Sequence, residues 1–104
     1  MKRIEYHPLG SIVQLNGGIQ KLIIISRGIT VKNDGRLFFF DYGGVPYPEG
    51  VIGDQMVYFN HNSIARILFS GFKDEDDKIV VDNINKYLEM NPDVVYGNAQ
   101  TWNQ

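Results

Sequence analysis

The chain has 104 residues, 43% hydrophobic and 21% charged, the make-up of one ordinary globular domain rather than of two domains or a disordered tail. Ten Lys and Arg stand against twelve Asp and Glu for a formal charge of -2, so the basic footprint of a protein that grips nucleic-acid backbone is missing. There is no Cys, which excludes disulfides, thiol nucleophiles and thiolate metal sites, and two His make no structural zinc site; no metal and no cofactor are expected.

Met1 to Pro8 carries Lys2, Arg3, Glu5 and His7, and no apolar signal core follows, so a cytoplasmic protein is expected. The longest apolar run, Leu22 to Ile25, is far shorter than the roughly 20 residues that cross a bilayer as a helix, and no membrane partner is expected. Ser11 to Leu15 alternates as a half-buried strand, and Asn16-Gly17-Gly18 supplies the left-handed backbone of a tight hairpin. Gln20 to Ser26 contains Ile23-Ile24-Ile25 and reads as a central strand covered on both sides, continuing past a bulge or bend at Gly28 to Lys32. Asn33-Asp34-Gly35 is a strong hairpin signal leading into a strand from Arg36 to Tyr42. Gly43 to Gly50, with Pro46 and Pro48, reads as a structured loop, because proline donates no ladder hydrogen bond. Gln55 to Phe59 and Ala65 to Ser70 resume strand character around a turn at Asn60-His61-Asn62-Ser63.

After Phe72 the pattern changes. Lys73 to Asp77 is an acidic run suited to a helix N-terminus, Ile79, Val80, Ile84, Tyr87 and Leu88 recur near helical spacing, and Asn91-Pro92 ends the helix. The expected fold is α+β: a strongly bent antiparallel sheet or open small barrel of about five strands, closed by one C-terminal amphipathic helix over residues 75–90. A single domain over 1–92 is expected, followed by a polar tail over 93–104 in which Val94, Val95, Tyr96 and Trp102 could add an edge strand or dock an aromatic. Residues 1–71 hold seven Lys/Arg and five Asp/Glu, and residues 72–104 hold three and seven, so the helix face is acidic.

Leu9-Gly10-Ser11-Ile12-Val13, Gly17-Gly18, Lys21-Leu22 and then Asp41-Tyr42-Gly43-Gly44-Val45-Pro46-Tyr47-Pro48-Glu49-Gly50 occur in an order that resembles domain-of-unknown-function family 4176 of Gram-positive bacteria. Phe59-Asn60-His61, Ile64 and Ile67 to Phe72 extend the likeness, which covers roughly residues 9–88; Asn33-Asp34-Gly35 and the tail after Pro92 match no family motif. The resemblance implies a small accessory protein encoded beside type VII secretion genes and LXG-type toxins, an adaptor or targeting chaperone for an exported protein. It implies no catalytic residues.

The segment Asp41 to Gly50 is the main candidate for partner binding: Asp41, Tyr42, Val45, Pro46, Tyr47, Pro48 and Glu49, with Tyr47 and Glu49 as the presented groups. The competing reading is a rigid inter-strand connection explained by turn chemistry alone. Asn60 and His61 form a candidate polar site, with Asp41, Glu49 and Asp54 as the carboxylates available for a general-base dyad. No G-x-S-x-G, His-Glu-x-x-His or phosphate loop accompanies them, so the reading of His61 as a residue that satisfies turn amides or packs at a strand end is favoured, and a small hydrolase or small-ligand barrel centred on it is the alternative class. Asp74 to Asp77 lacks the glycine and terminal glutamate of a calcium loop and reads as helix capping. Alternation sends Phe38 and Phe40 to one face and Phe39 to the other, which favours core packing over a base-stacking platform. The expected partner is a protein bound at a sheet edge or in a groove between sheet and helix, and self-pairing of such an edge would give a homodimer.

Overall fold

The computed structural model describes residues 2–103. Strands β1 (Ile12–Leu15), β2 (Lys21–Asn33), β3 (Arg36–Tyr47), β4 (Val57–Phe59) and β5 (Ile64–Phe69) form one antiparallel sheet in the order β4-β3-β2-β1-β5. Helix α1 (Glu75–Met90) and the short helix α2 (Ala99–Trp102) follow. The fold is α+β, with an open sheet and one main helix.

Strands β4 and β5 occupy opposite edges, yet only residues 60–63 join them, and His61–Ser63 form a single 3-10 turn. Such a link reaches roughly 14 Å, whereas the edges of a flat five-stranded sheet stand about 19 Å apart. The sheet must therefore curl. Three irregularities let it do so: Ile25 has no opposite residue on β3, and Ala65 and Leu68 of β5 have none on β1. Extra residues of this kind bend a strand and increase its twist.

The β2–β3 hairpin turns where Asn33-Asp34-Gly35 places it, with positive φ at Asp34 (51°) and Gly35 (76°). Other expectations need correction. The bulge of β2 lies at Ile25, and Gly28 instead takes φ 60° beneath helix α1, where a Cβ would stand 2.9 Å from Cγ1 of Ile84. Strand β2 is central, but Ile25 is exposed, because the chain covers the Leu22 and Ile24 face more completely than the other. Residues 43–47, read as loop, continue β3 as strand. Gly44 fits because a Cβ there would meet the Ile23 carbonyl oxygen at 2.8 Å, and Pro46 lies beyond the Tyr42–Gly44 stretch that β4 pairs, where strands tolerate proline.

The core joins Val13, Leu22, Ile24, Tyr42 and Phe59 of the sheet to Tyr6 of the N-terminal arm and Val81 of α1. Helix α1 begins at Asp74, whose carboxylate accepts from the N–H groups of Asp76 (3.0 Å) and Asp77 (3.2 Å), with Glu75, Asp76 and Asp77 at the positive end of the dipole. Its buried face carries Val81, Asn85 and Leu88, rotated from the expected face, so that Ile79, Val80 and Tyr87 remain exposed. Asn85 sits at the centre of this buried face. Its Oδ1 accepts from Ile4 N–H at 2.7 Å and its Nδ2 donates to the Ile4 and Val81 carbonyls at 2.8 and 2.9 Å, which makes this polar residue the anchor of the N-terminal arm. A second anchor is the ion pair of Arg27 and Asp77 at 2.7 Å, with side chains 5% and 13% exposed.

Candidate functional site

At the middle of β3 the chain turns Asp41 and Tyr42 toward the N-terminal arm and the β4–β5 connection, and both are buried. Tyr6 donates its hydroxyl proton to Oδ1 of Asp41 at 2.7 Å, and the main-chain N–H of His61 donates to Oδ2 at 2.8 Å. The Tyr42 hydroxyl accepts from His7 N–H at 2.9 Å and shares a hydrogen bond of 2.7 Å with Nδ1 of His61, whose direction is set by the imidazole tautomer. The rings of His7 and His61 stack at 4.9 Å. Asn60 ties three segments together, accepting from Asp41 N–H at 3.0 Å and from its Nδ2 donating to the Gly97 carbonyl at 2.9 Å.

Burial sets the charge states of this cluster. It pushes the Asp41 carboxyl above the ordinary carboxylate range, against the opposing pull of the His61 N–H and the Tyr6 hydroxyl. Burial also raises the Tyr6 and Tyr42 hydroxyls, and the Asp41 charge adds to both, so both stay neutral. Nearby Tyr96 is pushed up to about 12, first by burial and then by Asp41. His7 titrates below the usual imidazole range because burial, His61 and Lys73 all disfavour its cation.

The hydrogen bonds of the cluster tie the middle of β3 to the N-terminal arm and to the β4–β5 connection. Asp41 meets His61 through the main chain and not through the imidazole, so the acid does not orient the ring as a base would require. Among the described residues, Glu49 and Asp54 make no hydrogen bond or ion pair with His61, and no group of three metal-ligating side chains exists. Every buried side-chain polar atom among them has a partner. Beside the cluster an open depression of about 1050 Å³ runs between the Asn60–Ser63 turn, the end of β1 and residues 96–100.

The residues singled out in the sequence fall into two places. Asp41, Tyr42, Asn60 and His61 come together in this cluster, while Val45 is buried in the core and Pro46 is half-buried. Tyr47, Pro48 and Glu49 are exposed at the far end of β3, about 17 Å from Tyr42 at strand rise. There the Tyr47 ring lies 5.8 Å from Lys21 Nζ, and its carbonyl accepts from Gln20 Nε2 at 3.0 Å. Tyr6 and His7 carry no sequence signal, since they sit in an arm without periodicity and acquire their roles only through contacts with residues more than thirty positions away.

A family model described as a domain of unknown function, DUF4176, matches residues 6–80, well over half of the chain. The chain belongs to this family. The match begins at Tyr6 and so includes Tyr6, Asp41, Tyr42, Asn60 and His61, while residues 95–103 lie outside it. Comparison with curated proteins and with solved structures gives no match. No helix among the described residues is long and apolar enough to cross a membrane.

Proposed function

We propose that this DUF4176 protein is a non-enzymatic, protein-binding accessory module of the cytoplasm, an adaptor or targeting chaperone for a type VII secretion substrate of the LXG class. The observation that carries the reading is the surface formed by β5 and the segment after it. Ile67, Leu68, Phe69 and Phe72 are 43, 43, 59 and 81% exposed within six residues, an apolar concentration of the kind that marks protein contact surfaces. The two unopposed residues of β5 twist this edge, which favours packing of a partner's apolar face over addition of a partner strand there. The secretion context rests on the resemblance of the motifs between Leu9 and Phe72.

Co-expression with an LXG-type substrate, affinity purification and size-exclusion light scattering test it. A complex of defined stoichiometry is expected, weakened by Leu68→Ser with Phe72→Ser while the thermal midpoint of the free protein stays nearly unchanged. Recovery of the protein alone, folded and monodisperse, overturns the reading. It would turn attention to the depression beside His61, the feature that favours a small-ligand site.

A further inference from the structure

Two asparagine side chains in this fold imitate a neighbouring strand. An antiparallel partner residue exchanges two hydrogen bonds with the residue opposite, one to its N–H and one to its C=O. The Asn85 carboxamide does this to Ile4 and is buried. Asn103 does the same to Tyr58 on the outer edge of the sheet, its Oδ1 accepting from Tyr58 N–H at 3.1 Å and its Nδ2 donating to the Tyr58 carbonyl at 2.7 Å. Tyr58 is the middle residue of β4, which has a strand neighbour on one side only.

The adjoining Trp102 fills an aromatic seat. Its indole meets Phe38 and Phe40 edge-on at 5.2 and 5.1 Å and Tyr58 at 6.3 Å. Both residues lie at the end of α2, four residues long, which cannot persist by its own hydrogen bonds and is held by these contacts and by Ala99, half-buried against the core. Upstream the same tail is fixed more firmly: Phe39 N–H donates to the Val95 carbonyl at 2.8 Å, Gly97 N–H donates to the Phe39 carbonyl at 3.0 Å, and Gly97 is packed against the Phe40 ring. Asn103 is exposed where Asn85 is buried, so water competes for one carboxamide and not for the other. The tail is thus paired to β3 through its main chain at 95–97, whereas at 98–103 it is held to the sheet by the side chains of Ala99, Trp102 and Asn103.

We propose that the outer edge of β4 at Tyr58, with the seat formed by Phe38, Phe40 and Tyr58, docks an extended segment of a partner protein, and that residues 98–103 occupy it in cis until displaced. The fitting segment offers a backbone N–H and C=O to Tyr58 and places an aromatic or large apolar side chain where the indole lies. This rests on the protein-binding reading and adds a second contact to it, strand addition at β4 beside apolar packing at β5. Because the tail is tethered, it competes at an effective concentration on the order of millimolar, so the intact chain takes up a short free peptide poorly.

The test uses the full chain and a probe peptide, Thr-Val-Trp-Val-Thr-Lys with blocked ends, followed by amide NMR. Expected are saturable shifts centred on Tyr58 and Phe40 in a Trp102→Ala, Asn103→Ala double variant, with affinity for the unaltered chain weaker by roughly tenfold or more. A peptide with Ser in place of its Trp should lose most of this binding. Absence of binding to the double variant, equal binding to both chains, or shifts away from β4 overturns the proposal. Should the double variant fail to fold, hydrogen exchange in the unaltered chain decides: the Tyr58 amide must exchange about 100-fold or more faster than the core amide of Ile24, and exchange of both only by global unfolding overturns detachment. Neither readout involves a secretion substrate, so a failure here and a failure of co-purification remain separate results.

Discussion

The Tyr6 hydroxyl donates to Oδ1 of Asp41 at 2.7 Å, which fastens the N-terminal arm to the middle of β3 across a sequence separation of 35 residues. A buried carboxyl raised above its ordinary value ionises later in the folded protein than in the unfolded chain. Its contribution to stability is therefore complete below the ordinary carboxyl value of 3.8 and is lost as pH climbs through the raised one. Urea unfolding of the wild type and of Asp41→Asn between pH 3.5 and pH 7 should show the wild type losing ground to the variant as pH increases. Tyr6→Phe removes a donor that favours the charged form and should cost about 1–3 kcal/mol at neutral pH.

His7 works in the opposite direction. With its imidazole held below the usual value of 6.5 by burial, His61 and Lys73, the unfolded chain takes up a proton that the folded chain refuses. Stability is present above that value and is lost as pH falls through the lowered one. His7→Phe keeps a ring against His61 and removes the titration, so its thermal midpoint should drop less than the wild type's between pH 7.5 and pH 5. Equal drops would remove His7 as the cause.

The Arg27 and Asp77 pair lies with both side chains almost fully buried, so breaking it leaves one charge without a partner. Asp77→Asn should destabilise by about 3–5 kcal/mol in denaturant unfolding. Replacing both residues by Leu should recover most of that loss. If the double variant is no better than the single one, the pair contributes through attraction and not merely by avoiding an isolated charge.

Gly97 is packed so tightly that a Cβ would collide with the Phe40 ring. Gly97→Ala should cost about 1–3 kcal/mol and shift the emission of Trp102, the single tryptophan, toward longer wavelength as the aromatic seat loosens. Gly18→Ala is the control. There a Cβ would meet only the Leu15 carbonyl oxygen at 3.7 Å, and its thermal midpoint should stay close to that of the wild type.

Tyr47 and Glu49 stand exposed at the far end of β3, away from the core. Tyr47→Ala with Glu49→Ala should change stability by less than about 0.5 kcal/mol and reduce recovery of a co-expressed secretion substrate. A parallel fall in thermal midpoint and recovery would assign these residues to architecture.

Local chemistry decides what the sequence makes legible. The turn at Asn33-Asp34-Gly35, the acidic start of α1 and the stop at Asn91-Pro92 each depend on neighbours within a few positions, and the α+β class follows from their order. The extension of β3 through Gly43 to Tyr47 was hidden, because glycine and proline there answer to the Ile23 carbonyl and to the short reach of β4, both distant in the chain. Asp41, Tyr42, Asn60 and His61 were visible as polar residues near turns. Their union with Tyr6 and His7, the burial of Asn85 and the seating of Asn103 on Tyr58 were decided only by tertiary structure. A hydrogen bond between residues dozens of positions apart leaves no period in either segment, and burial alone determines whether a carboxyl or carboxamide must find that partner.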